Sequence, residues 1–148
     1  MYEHWSINGL VVLSTAVLVA LSVLVHYEGL QYLSIRLPMM RAERRRKVLY
    51  GVYAVIFLHV IEIWLFGLGI WLLLMIADAG SIFGITSLSL LDAVYLSATT
   101  FTTVGFGDVA PTGPIRFLSG TEALVGFILI TWSASFLYLE MRQFWRNN

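Results

Sequence analysis

The chain has 148 residues, of which 59% are hydrophobic and 12% charged, with no net charge and a mean hydropathy of +0.82. A water-soluble domain carries about 25% charge, so the composition is that of a membrane protein, not of a soluble enzyme or a basic nucleic-acid binder. The absence of cysteine removes a disulfide framework, a thiolate metal site and a cysteine nucleophile.

Crossing a hydrocarbon core takes roughly 20 apolar residues, and three stretches qualify. The first runs from about Ile7 to Val25 and continues helically to Leu33, which predicts an N-terminal transmembrane helix within residues 1–35. Pro38 is expected to end it, because proline disfavours helix in the residue before it. Met1-Tyr2-Glu3-His4-Trp5 lacks the positive charge of a cleavable signal peptide, so none is expected. Residues 36–47 read as a basic cytoplasmic linker. The second span is an outer helix over 48–76, interrupted by His59, Glu62 and glycines. The third, Phe117–Leu139, predicts an inner helix over 117–140.

Orientation follows from the cations. Arg36, Arg41, Arg44, Arg45, Arg46 and Lys47 lie between the first two spans, and Arg142 and Arg146 follow the third. The positive-inside rule puts both groups in the cytoplasm and the amino terminus outside. The chain therefore reads as a multi-pass protein of the plasma (cell inner) membrane with a cytoplasmic carboxyl terminus. Tyr2, Trp5, Tyr27, Tyr32, Tyr50, Tyr53, Phe144 and Trp145 fall where aromatic belts are expected. The cluster Arg41, Arg44, Arg45, Arg46 and Lys47 either fixes topology alone or also binds anionic lipid. Glu3, Asp78, Asp92 and Asp108 give the outer face an acidic character that concentrates cations.

Between the second and third spans, Ala77–Arg116 behaves differently. Ser89-Leu90-Leu91-Asp92 has the spacing of a capping box and predicts a helix over 90–101. Twelve residues reach roughly 18 Å, about half a bilayer, so the helix is read as re-entrant. Its carboxyl end, the negative end of the dipole, then points at the membrane centre and favours a cation there. Thr102-Thr103-Val104-Gly105-Phe106-Gly107-Asp108 follows. Gly105 and Gly107 can take positive φ, so successive peptide oxygens can face one side. Stacked rings of such oxygens can replace the hydration shell of K⁺. One chain supplies one strand of a four-stranded ring, which predicts a homotetramer. Irregular backbone at this depth also needs protein around it. Pro111, Gly113 and Pro114 stop any helix before the third span.

The run Thr103–Asp108 resembles the T-V-G-[YF]-G-D selectivity filter of tetrameric potassium channels. About Val48–Asn148 is similar to their two-span pore module, with outer helix, pore helix, filter 103–108 and inner helix; Ile7–Leu33 lies outside it and adds a third span. The resemblance implies an all-α membrane fold and passive, K⁺-selective conduction, with K⁺ ions in the filter, no organic cofactor and no catalytic residue. It assigns K⁺ to the backbone oxygens of Thr103, Val104, Gly105 and Phe106, with the Thr103 hydroxyl, and places Gly107 and Asp108 at the support and mouth. Three positions depart from many relatives. Phe106 replaces a tyrosine, Tyr95 stands where tryptophan is common, and Thr99 where some relatives carry a buried carboxylate. A weakly selective cation channel and a non-conducting accessory subunit are the alternatives. Neither early span carries arginines at every third position, so no voltage sensor is expected, and with roughly ten residues after the third span no cytoplasmic ligand domain is expected either.

The remaining candidates each have two readings. Ile128, Thr131, Ser135 and Leu139 share one helical face that either lines a cavity below the filter or packs, its hydroxyls bonding back one turn. Gly126 is a hinge or a packing glycine. His59 and Glu62, three residues apart at depth, are a staple to Ser14, Thr15 or Ser22 of the first span, or a proton sensor. Glu122 braces the back of the filter or pairs with Arg116. His4 and His26 read as plain interface residues.

Overall fold

Three long apolar helices carry the fold: α1 (Glu3–Met39), α2 (Arg44–Leu74) and α4 (Ile115–Arg146). Each is long and apolar enough to cross a membrane. The computed structural model describes residues 3–146; Tyr2 and the side chains of Glu3, His4, Phe144, Trp145 and Arg146 lie outside the described set. α1 has 37 residues, about 55 Å at 1.5 Å per residue, and so overreaches a hydrocarbon core of about 30 Å. It runs one residue past Pro38.

The basic stretch 36–47 is mostly helix. Arg36 sits in the last turn of α1 and Arg44–Lys47 form the first turn of α2, which leaves residues 40–43 as the joint. No helix breaker separates Arg44 from Val48, so the helix extends beyond its apolar part into the charged turn. Cations at a helix amino terminus oppose its dipole. The Lys47 Nζ offsets this by donating to the Pro38 carbonyl at 3.3 Å, which ties α2 to the end of α1.

Between α2 and α4 lie β1 (Ser81–Phe83), the short helix α3 (Leu90–Phe101) and β2 (Ala110–Thr112). α3 begins as its sequence dictates. Ser89 Oγ accepts from the Asp92 amide at 3.2 Å, and the Ser89 amide donates back to Asp92 Oδ2 at 3.2 Å. β1 and β2 pair antiparallel with Ile82 opposite Pro111. This small pair is a local addition to the expected helical fold and fastens the loop before α3 to the segment after residue 108.

α3 is wedged between α2 and α4, and two glycines make room. A Cβ on Gly67 of α2 would stand 2.8 Å from Val94 Cα, and one on Gly126 of α4 only 2.1 Å from the Phe101 carbonyl oxygen. Gly126 is thus a close-contact residue in this structure. Two apolar clusters hold the helices. One gathers Phe66, Ile70, Leu96, Phe101, Leu118 and Leu129 around α3. The other joins Leu30, Leu33 and Leu37 of α1 to Val55 and Leu58 of α2. Between them, along α1 and α2, sits a buried polar layer of His26 and Glu62.

Candidate functional site

The backbone after α3 takes an unusual path. Thr103, Gly105 and Gly107 have φ of 58°, 50° and 83°, while Val104 and Phe106 between them stay outside the positive region. Alternation of left- and right-handed residues turns successive carbonyls toward the same side of the strand. Thr103 is one of two non-glycine residues with positive φ among those described. L-residues adopt this region at a cost of order 1 kcal/mol, so the surrounding contacts must hold it.

Those contacts are local. The Thr103 amide donates to the Thr100 carbonyl at 2.9 Å and the Gly105 amide to the Thr99 carbonyl at 3.1 Å. Thr102 Oγ1 donates to the Ala98 carbonyl at 2.7 Å. Thr99 itself is buried with its hydroxyl on the Leu96 carbonyl, so it supports the strand through its backbone. Farther along, Tyr95 Oη donates to Asp108 Oδ2 at 2.7 Å, bridging α3 to the end of the strand. This hydrogen bond raises the Tyr95 phenol above its ordinary value, with smaller contributions from burial and the Asp108 charge. Residues 102–108 are otherwise exposed in the single chain. Phe106 is 72% exposed, and a Cβ on Gly105 or Gly107 would meet nothing within 4 Å.

Glu122 is fully buried against the back of α3. Its Oε1 accepts from Ser97 Oγ, which also lies 2.8 Å from the Ile63 carbonyl of α2. One serine of α3 therefore joins that helix to both α2 and α4. Arg116, the other partner considered for Glu122, is exposed in the first turn of α4. Ile128, Thr131, Ser135 and Leu139 lie on an exposed face of α4. Thr131 Oγ1 bonds back to the Phe127 and Ile128 carbonyls, and Ser135 Oγ to that of Thr131. Both readings of this face keep support: the hydroxyls back-bond, and no segment among the described residues covers them.

The staple of Glu62 is present, with a different partner. Its Oε1 lies 2.7 Å from Nδ1 of His26 and its Oε2 2.8 Å from Nδ1 of His59. His26 is fully buried, not an interface residue. Thr15 instead bonds its own helix at the Val11 carbonyl, and Ser22 Oγ is buried without a hydrogen-bond partner among the described residues. Sequence reasoning missed His26 because its neighbours Val25 and Tyr27 look like the end of a span. Its position three residues ahead of Gly29, which admits Leu58 of α2, was the available signal.

A family model described as "ion channel" matches residues 47–143. Two curated proteins, both named Protein LctB, match shorter stretches. The one from Bacillus caldotenax is 54% identical over 43 residues, 28% of this chain and 32% of that protein. The one from Geobacillus stearothermophilus is 49% identical over 38 residues, 26% of this chain and 28% of that protein. The match thus spans a third or less of either relative. No solved structure matches the chain.

Proposed function

The chain belongs to the ion channel family, and on that premise we propose that four copies form a K⁺-selective pore in the membrane. The observation that carries the reading is the alternation of positive φ at Thr103, Gly105 and Gly107 on an exposed strand. Four such strands around an axis would present the carbonyls of Thr103, Val104, Gly105 and Phe106, with the Thr103 hydroxyl, as stacked oxygen rings for dehydrated K⁺. α3 acts as the re-entrant pore helix. Its carboxyl end, at the start of the strand, contributes a negative dipole end to a cation waiting below.

Other features fit this assembly. Residues 102–108 and the Ile128, Thr131 and Ser135 face lack cover within one chain, as surfaces reserved for a central axis require. The hydroxyls of that face then wet a cavity under the filter. Asp108 lies at the outer mouth, the amino terminus is outside, and Arg41, Arg44, Arg45 and Arg46 face the cytoplasmic leaflet, where anionic lipid attracts them.

Bi-ionic reversal potentials of the purified protein in planar bilayers test the reading, K⁺ against Na⁺, with Gly105→Ala beside the wild type. A strong preference for K⁺ that the variant loses is expected. Equal permeation of both ions would replace the proposal with a weakly selective pore, to which the missing phenol of Phe106 lends support. Well-folded monomers without flux would make the chain an accessory subunit.

A further inference from the structure

We propose that His26, His59 and Glu62 bind one divalent transition-metal ion of the Zn²⁺ class between α1 and α2, beside the carboxyl end of α3. The donor atoms of the three side chains all lie within 4.8 Å of one another. They come from two helices. His59 and Glu62 share a face of α2 at i and i+3, and His26 faces them from α1.

The arrangement has more than a staple requires. A buried carboxylate is held by one imidazole; here each oxygen carries its own, and both rings turn Nδ1 inward. The rings stack with centroids 5.5 Å apart, so the two nitrogens and the carboxylate converge. A tetrahedral ion with bonds of about 2.0–2.1 Å needs its donors about 3.3 Å apart. To reach that spacing the two nitrogen–oxygen separations of 2.7 and 2.8 Å must open, and the widest donor pair, within 4.8 Å, must close.

The donor set selects the ion. Two imidazoles and a carboxylate suit Zn²⁺ and its neighbours, whereas Ca²⁺ and Mg²⁺ need more oxygen than this site offers. A fourth position is left for water or another small ligand, as in open zinc sites. The outer contacts agree. Metal-bound histidines hand their second nitrogen to a hydrogen-bond partner, and Nε2 of His26 lies 3.4 Å from Ser133 Oγ on α4. Trp132 tilts over the His26 ring at 5.2 Å and helps shut out water. His26 and Glu62 are fully buried, whereas the His59 side chain keeps 16% exposure, which marks the side from which an ion enters. An ion there would clamp α1 to α2 and, because the His59 ring rests on Phe101 at 5.8 Å, bear on the last residue of α3.

The test needs the full chain in lipid nanodiscs, purified without an oligohistidine tag, loaded with Zn²⁺ or Co²⁺ and desalted. Elemental analysis is expected to find about one ion per chain, and Co²⁺ to give the intense visible bands of a four-coordinate site. His26→Gln and His59→Gln are expected to lose the ion, and Ser133→Ala to bind it about tenfold more weakly. His4→Gln changes the only other histidine and is expected to leave binding intact. Wild-type protein that keeps only traces of metal, or Co²⁺ with a weak six-coordinate spectrum, would overturn the site whether or not the variants fold. Undiminished binding in a folded His26→Gln protein would overturn it as well. None of these readouts depends on conduction, so the site and the proposed pore succeed or fail separately.

Discussion

Tyr95 of α3 and Asp108, thirteen residues on, are joined by a hydrogen bond of 2.7 Å that spans the whole strand between them. Its ends are fixed to α3, at one side by this bond and at the other by the amides of Thr103 and Gly105 on the last turn. Phe106 has no hydroxyl to fix the middle, so the tie at Asp108 carries that duty. In the proposed pore, Tyr95→Phe is therefore expected to shorten the time that current survives under sustained K⁺ flow, while leaving assembly unchanged. Single-channel recording beside size-exclusion chromatography checks both halves.

The same bond sets a pH dependence. Because the Tyr95 phenol is raised in the folded chain, the protonated hydroxyl is the form the fold favours. Its contribution is complete below the ordinary tyrosine value of about 10 and is lost as pH rises through the higher folded value. Alkaline loss of current above about pH 10 is expected in the wild type and expected to vanish in Tyr95→Phe, where that loss is already built in.

Ser97 has one hydroxyl hydrogen and two acceptors in reach, the Ile63 carbonyl and Glu122. A glutamine at 122 can donate an N–H to Ser97 Oγ and so serve both contacts. Glu122→Gln is expected to be at least as stable as the wild type. Glu122→Ala, which leaves Ser97 short of a buried partner and opens a gap, is expected to cost about 1–3 kcal/mol. Thermal unfolding of the two variants in the same nanodiscs separates them.

Gly126 sits in the middle of α4, where alanine would normally gain about 1 kcal/mol in helix propensity. The Cβ would stand 2.1 Å from the Phe101 carbonyl oxygen, which is backbone and cannot swing aside. The clash wins, and Gly126→Ala is expected to lower the melting temperature and the yield of folded protein. A folded Gly126→Ala protein with changed opening alone would restore the hinge reading.

The chain contains no cysteine, so single introduced thiols report without background. In the proposed pore and orientation, thiol reagents added from the cytoplasmic side are expected to block current in Thr131→Cys and Ser135→Cys. They are expected to spare Leu129→Cys, whose side chain is buried off that face. Reactivity at 129 with protection at 131 would mean that the exposed face packs against a neighbour instead.

Much of this architecture was legible because its signals are local. Span length fixes the three long helices, and the Ser89–Asp92 spacing locates α3 to the residue. The glycines of 105 and 107 mark where the backbone must turn left-handed, though Thr103 joins them only through bonds to its preceding turn. What escaped depends on distance. His26 meets Glu62 across 36 residues and two helices, and no pattern along α1 announces it. β1 and β2 are three residues each, too short for periodicity, and one contains a proline. The first turn of α2 was hidden by its own charge, since hydropathy places a span but not the helix that carries it beyond the membrane.

The fit of Gly126 against Phe101 leaves no slack between α4 and the last residue of α3. A tilt of α4 about that point must drag or release the Phe101 peptide, and the next residues are Thr102 and Thr103, where the left-handed alternation begins. In the proposed pore, the lower constriction and the ion-holding strand are then links of one short lever and not two independent valves. Widening the cavity and loosening the oxygen rings would be a single movement seen from two ends.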